Sequence, residues 1–157
     1  MDASLVQAIE ELPQIQIDAG EVLITEGRKP DGLYFLKSGS VDIIKGSARV
    51  ATEAQPGAIF GEISLLLDFV GTATVRARVA SEFYAARDGL RFLSDHPDVG
   101  FVIARTLALR LEAVTHYVAD LKTQFKSQAS PLGMVDSVVE TLLAKHPRHV
   151  QRRNRGH

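Results

Sequence analysis

One stretch of the sequence combines residue types suited to binding an anion. Gly61 precedes a short apolar run, EISLLL, which predicts a short helix after a tight turn. The first amide groups of such a helix have no acceptor within it, and they point toward an anion in front of the turn. Glu62 adds a carboxylate, while Ser64 and Thr72 can donate hydrogen bonds to phosphate oxygens. The chemistry indicated is recognition of a phosphate group.

Short strands are predicted to position this stretch. From Gln14 to Arg87, β-rich runs alternate with turn residues such as glycine, proline and aspartate. Many short strands at near-regular spacing indicate an antiparallel barrel or sandwich. The runs are QIQI, EVLIT, LYFL, SVDII, RVATE, TATVRARV and EFYAA.

Helical patterns flank the β-rich region. Residues 1–13 contain a short amphipathic helix, and Gly89–Asp95 predicts another short one. A proline and an aspartate then open a long helix over 97–126. After a polar break, residues 131–157 are expected to form an accessory helix, about Gly133–Ala144, and a basic tail.

Composition excludes several classes of site. Of 157 residues, 45% are hydrophobic and 24% charged, which is typical of a globular domain. The absence of cysteine excludes disulfides and thiolate metal sites. The five histidines lack zinc-ligand spacing and no catalytic triad is indicated, so we expect no metal, no cofactor and no enzymatic activity. No run is apolar over the roughly 20 residues that span a bilayer, and an acidic N-terminus predicts a cytoplasmic location.

Charge is unevenly distributed along the chain. The net charge is −1, but the last thirteen residues carry five basic side chains and no acid. The remaining 13 basic and 19 acidic residues leave an acidic body, which is a poor surface for nucleic acid. Only 31 residues follow Lys126, too few for a winged helix-turn-helix, so we do not expect DNA binding.

The motifs, taken in order, resemble those of the cyclic-nucleotide-binding domain, and in particular regulators of the catabolite-activator type. The matching segments are GEVLITEG, GLYF, SGSV and LALRL, together with the cassette, residues 60–77, which reads FGEISLLLDFVGTATVRA. The resemblance implies a mostly β fold with flanking helices: an antiparallel β-roll of the jelly-roll type with a short N-terminal and a long C-terminal helix. The predicted domain is 14–126.

The resemblance also implies which residues contact a ligand. Glu62 would accept a hydrogen bond from a ribose 2′-hydroxyl, and Thr115, midway along the long helix, would lie near a purine. From the residues alone, Glu62 could instead cap the short helix, and Thr115 could equally be a surface hydroxyl. The expected ligand-binding residues are Phe60, Gly61, Glu62, Ile63, Ser64, Gly71, Thr72, Ala73 and Thr115.

Gly71 departs from the family pattern. An arginine at this position pairs with the cyclic phosphate in the family, and its loss costs roughly 2–5 kcal/mol by analogy with a broken buried charge pair. That corresponds to about 30-fold to several-thousand-fold in affinity. We therefore expect weak or lost binding of cAMP and cGMP, and expect Gly71→Arg to tighten it.

The cassette is also unusually apolar. Leu65, Leu66 and Leu67 are interpreted as core residues beneath the short helix. Phe69 and Val70 could instead fill the phosphate space or line a pocket for an apolar ligand.

Taken together, the sequence predicts a non-enzymatic regulatory or sensor domain that forms a homodimer. The alternatives are a sensor for a different, less anionic ligand, or a ligand-independent dimeric module that binds an unknown protein partner. One row of the long helix is expected to face a second copy of the chain, namely Ile103, Leu107, Val114, Val118, Leu121 and Phe125. A second row is expected to face the β-roll, namely Phe101, Ala104, Ala108 and Leu111.

Overall fold

A computed structural model describes residues 3–126 of the chain. The predicted accessory helix and basic tail of 131–157 therefore lie outside the described residues. The elements, in order, are α1 (Ala3–Glu10), β1 (Gln14–Ile17), β2 (Val22–Ile24), β3 (Leu33–Ser38), β4 (Val41–Lys45), β5 (Ala48–Glu53), β6 (Ile59–Phe60), α2 (Glu62–Leu67), β7 (Thr74–Ala77), β8 (Ser81–Ala86), α3 (Gly89–Asp95) and α4 (Pro97–Lys126).

The strands form two four-stranded sheets. One has the order β1-β8-β3-β6 and the other the order β2-β7-β4-β5. Every pairing between these strands is antiparallel, and non-consecutive strands lie side by side in both sheets. The antiparallel β-roll with a short N-terminal and a long C-terminal helix is thus confirmed. The short strand β6 was not predicted, because two residues carry no periodic signal.

The core lies between the two sheets. Its buried residues come from both of them: Ile24, Val41 and Val75 from one sheet, and Tyr34, Leu36, Phe60, Phe83 and Ala85 from the other. The rings of Phe60 and Phe83 meet edge to face, with centroids 6.2 Å apart. Burying each large side chain stabilises the fold by about 1.5–3 kcal/mol. The first cassette residue is therefore anchored in the core.

Burial on the first turns of α4 differs from the expectation. Up to Arg105, this helix belongs to a compact unit with the β-roll. Val99 and Ile103 are buried in it, whereas Phe101 is 71% exposed. Two residues along a helix correspond to about 200° of rotation, so Phe101 must lie opposite Val99. The prediction that Phe101 and Ala104 face the β-roll is therefore wrong, and Ile103 is already covered within its own chain.

The rest of α4 belongs to a second compact unit that begins at Thr106. Large apolar side chains on it are exposed in the single chain, including Leu109, Leu111, Val114 and Tyr117. Among the described residues, no helix has the length and apolar character needed to cross a membrane.

Candidate functional site

The cassette joins the two sheets. It starts at β6, which pairs with β3 through Phe60 and Tyr34. It ends at β7, which lies between β2 and β4. Both ends are therefore fixed by strand pairing, while α2 and the loop after it lie between them.

A tight turn at Gly61 starts the short helix α2. Gly61 has φ +90°, and a Cβ there would lie 2.7 Å from the backbone oxygen of Gly32. Only glycine fits both the left-handed conformation and the close approach. The first helical bond runs from the Leu65 amide to the Gly61 oxygen at 3.0 Å. The amides of residues 62–64 therefore precede the intrahelical ladder and face the turn.

Glu62 and Ser64 are both buried, at 5% and 4% exposure. The Ser64 hydroxyl donates to the Val70 oxygen at 3.1 Å, and the Ser64 oxygen accepts from the Phe69 amide at 2.9 Å. Since a hydroxyl has one proton, this bond commits Ser64 to the loop that follows α2. Donation from the Ser64 hydroxyl to a phosphate would therefore require it to give up the bond to Val70.

Gly71 is buried against the turn that follows β2. Its amide donates to the Arg28 oxygen at 2.7 Å, and its oxygen accepts from the Gly27 amide at 2.9 Å. A Cβ at Gly71 would lie 2.6 Å from the Thr25 oxygen, which is far inside ordinary contact distance. This geometry changes the expectation for Gly71→Arg, because the new side chain would displace the turn before its charge could reach a ligand.

Lys45, at the end of β4, was not identified from the sequence. Its Nζ donates to the Thr72 oxygen and forms an ion pair with Glu26 at 2.7 Å. Glu26 also accepts a bond from the Gly46 amide at 2.8 Å. The Lys45 ammonium, and then the Gly46 amide, lower the pKa of Glu26 below its usual range. No local motif signals this contact, because Lys45 and Thr72 are 27 residues apart.

Two further basic side chains near α2 are also paired with acids. Lys29 forms an ion pair with Asp68, and Arg87 forms one with Asp31. Lys29, through its ammonium, lowers the pKa of Asp68. All four side chains are more than half exposed, so these pairs contribute little to stability. The positive charges of Lys29 and Arg87 are neutralised locally.

The apolar tip of the cassette is exposed. Leu66, Leu67, Phe69 and Val70 are 48–57% exposed, so the core interpretation of Leu66 and Leu67 is wrong. The helix has six residues, Glu62–Leu67, and its C-cap Asp68 has φ +53°, so the chain leaves the helix directly after Leu67. Phe69 and Val70 line an open groove of about 540 Å³ together with Lys45 and Thr72.

Eight of the nine expected ligand residues lie in the cassette, within the first compact unit. Phe60 is buried, Ile63 and Ala73 are half-buried, and Thr72 is exposed. Thr115 belongs to the second unit, where its hydroxyl donates to the Leu111 oxygen at 2.8 Å. Among the described residues, no group of three or more metal-ligating side chains occurs.

Comparison with known proteins decides the family. Residues 14–89 match the family model described as the cyclic nucleotide-binding domain. The β-roll of this chain belongs to the cyclic nucleotide-binding domain family. The matched residues run from β1 to the start of α3, so they contain the whole cassette and both sheets of the cyclic nucleotide-binding domain.

Regulatory proteins are similar to this cyclic nucleotide-binding domain. A cAMP-dependent protein kinase regulatory subunit from Yarrowia lipolytica is 36% identical over 69 residues, 44% of this chain and 18% of that protein. A CRP-like cAMP-activated global transcriptional regulator from Mycobacterium tuberculosis is 30% identical over 130 residues, 77% of this chain and 57% of that protein.

A solved structure shows the same architecture. Thermus thermophilus catabolite activator protein has a TM-score of 0.64 at 26% identity, covering 81% of this chain and 60% of that one. The chain thus spans less than two thirds of the length of each of these three relatives. Its described residues have the fold of a cyclic nucleotide-binding regulatory domain.

Proposed function

We propose that this chain is a non-enzymatic, cytoplasmic regulatory domain in which cAMP and cGMP binding is weak or lost. The observation that carries the proposal is the packing of Gly71, where a side chain would meet the Thr25 oxygen at 2.6 Å. A family cassette places an arginine at this position to pair with the cyclic phosphate. Here the phosphate would be left to backbone amides of α2 and of Thr72 and Ala73.

Three cations near the cassette are already engaged with acids. Lys29, Lys45 and Arg87 are each bonded to a carboxylate. All three cations are more than half exposed, so using one of them for a phosphate would exchange one solvent-screened ion pair for another, and the net gain in binding free energy is small. The loss of roughly 2–5 kcal/mol estimated for a missing charge partner therefore stands. A nucleotide that a complete site binds with a dissociation constant of about 1 μM would bind here at roughly 30 μM to several millimolar.

A calorimetric titration with cAMP and with cGMP tests this proposal. The expected dissociation constants are in the high-micromolar range or above, and a sub-micromolar value for the unmodified chain would contradict it. Glu62→Ala should weaken whatever binding is present by roughly 1.5–3 kcal/mol, the contribution of a hydrogen bond to a charged group.

The melting temperature measured without nucleotide is the control for Glu62→Ala. Glu62 is buried, so its removal also costs folding free energy. A stability loss that is the same with and without nucleotide would assign Glu62 a capping role only. A larger loss in the presence of nucleotide supports a contact with the ribose.

A second candidate function is sensing of a less anionic, more apolar ligand. The exposed Phe69 and Val70 in the groove beside Thr72 favour it, since an apolar ligand there would remove their surface from water. Native mass spectrometry of the purified chain should then show a retained small molecule. Its absence favours the third alternative, a ligand-independent module that binds a protein partner.

We further propose a homodimer formed through α4. Val114 and Phe125 are 59% and 40% exposed in the single chain, and Val118 and Leu121, which lie between them at helical spacing, are half-buried. Such a row needs a partner, and a parallel helix pair about a two-fold axis is the simplest closed arrangement. DNA binding is not part of this proposal, because the body of the chain is acidic.

A further inference from the structure

At the exit of the cassette, residues 71–74, three hydrogen bonds hold Gly71 and Thr72. Two are backbone bonds at Gly71: its amide donates to the Arg28 oxygen and its oxygen accepts from the Gly27 amide. In the third, the Lys45 ammonium donates to the Thr72 oxygen. The third bond differs because a side chain provides it, from the far end of β4.

Glu26 holds this lysine in place. One carboxylate oxygen of Glu26 pairs with Lys45 at 2.7 Å, and the other accepts from the Gly46 amide at 2.8 Å. The backbone amide of Glu26 donates to the Thr74 hydroxyl at 3.1 Å, at the start of β7. Glu26 therefore links the turn after β2, the β4–β5 turn and the strand that ends the cassette.

The planarity of the peptide bond transmits these contacts to the next amides. In a trans peptide the C=O and the following N–H point in opposite directions. The bond from Gly27 to the Gly71 oxygen therefore sets the direction of the Thr72 amide. The bond from Lys45 to the Thr72 oxygen sets the direction of the Ala73 amide, which must point away from Lys45. These are two of the donors that the proposed function assigns to the ligand.

We propose that Lys45, held by Glu26, is a positioning residue that aims the Ala73 amide at the anionic group of the ligand. This inference rests on the proposed function, because it concerns the same ligand site. Lys45 acts through the Thr72–Ala73 peptide and not as a direct cation, since its charge is paired with Glu26 and it contacts the carbonyl edge of that peptide, opposite the Ala73 N–H.

Three variants of the full chain test this role. Lys45→Met removes the donor and keeps the length of the side chain, while Lys45→Arg keeps a donor. Lys29→Met is the matched control, because it removes one positive charge from an exposed pair with Asp68 at the other end of the same loop. Amide hydrogen exchange of residues 71–74 without nucleotide measures the order of the cassette exit. NMR titration with cAMP follows the Ala73 amide and gives the affinity.

Lys45→Met should speed amide exchange at the cassette exit by about threefold to tenfold, the worth of one ordinary hydrogen bond. It should weaken cAMP binding by a similar factor, while Lys45→Arg and Lys29→Met stay within about twofold of the unmodified chain for both quantities. Unchanged exchange in Lys45→Met overturns the inference, as does an equal effect of Lys29→Met. Faster exchange with unchanged affinity overturns the link to the ligand.

The two proposals can fail separately. If the unmodified chain shows no shift of the Ala73 amide at millimolar cAMP or cGMP, nucleotide binding is lost, which agrees with the proposed function, and the role of Lys45 in aiming Ala73 at a nucleotide is overturned. The exchange measurement contains no nucleotide, so it still decides whether Lys45 orders the Thr72–Ala73 peptide.

Discussion

Replacement of Gly71 tests the packing of the cassette most directly. The Cβ of Gly71→Ala would lie 2.6 Å from the Thr25 oxygen, 3.1 Å from the Arg28 oxygen and 3.2 Å from Ile24 Cγ2. Ordinary van der Waals contacts begin near 3.4 Å, so the cassette and the turn after β2 must move apart. The two backbone bonds that join Gly71 to this turn would lengthen with that movement.

The expected cost is about 2–4 kcal/mol of unfolding free energy. Overpacking contributes about 1–3 kcal/mol, and two weakened hydrogen bonds add about 1–2 kcal/mol. The lower entropy of alanine in the unfolded chain returns about 0.4–1 kcal/mol. At roughly 2–4 °C per kcal/mol for a chain of this length, the melting temperature should fall by about 4–16 °C.

Gly100→Ala provides a matched control of opposite sign. Gly100 lies within α4, and a Cβ there meets nothing within 4 Å. Replacing a helical glycine by alanine should stabilise the chain by about 0.5–1 kcal/mol. Calorimetric melting of both variants gives the comparison. A Gly71→Ala variant that melts within about one degree of the unmodified chain would refute the packing argument. A higher affinity of Gly71→Arg for cAMP would instead support the expectation from the sequence that an arginine at this position restores binding.

Two other predictions concern Tyr34 and the apolar row on α4 that contains Val114 and Val118. Burial, and then the hydrogen bond to Asp31, raise the pKa of Tyr34 well above its usual range. The protonated Tyr34 therefore contributes fully to stability below the unfolded pKa of about 10, and this contribution falls as the pH rises toward the folded pKa. Urea denaturation from pH 8 to 11.5 measures it. The free energy of unfolding should fall more steeply with pH in the unmodified chain than in Tyr34→Phe. Val114→Asp with Val118→Asp should give a monomer, because each places an unpaired carboxylate in the helix crossing. Ala119→Asp, which lies outside that row, is the control and should leave a dimer. A typical homodimer persists at roughly tens of micromolar, so sedimentation of the unmodified chain as a monomer at that concentration would argue against a dimer through α4.

Much of the fold was predictable because it depends on local signals. Glycine and proline turns divide the β-rich runs, and all seven predicted runs contain strands of the two sheets. The helix α4 begins at Pro97, where a first-turn proline fits the helix without losing a bond. The order of motifs was specific enough to predict the cyclic nucleotide-binding family.

The tertiary structure alone decided how the cassette is held. The sequence suggested that Gly71 had lost a side chain, but the close approach of the Thr25 oxygen shows that the packing requires a glycine. Ser64 and Lys45 bond to backbone oxygens that only folding brings near them, over 6 and 27 residues of chain. Periodicity identified apolar rows on α2 and α4, but it does not determine which face of a helix is covered. Leu66, Leu67 and Phe101 were therefore predicted to be buried, whereas the structure leaves them exposed. Composition and spacing determine which elements form, whereas long-range contacts determine which groups remain free to bind.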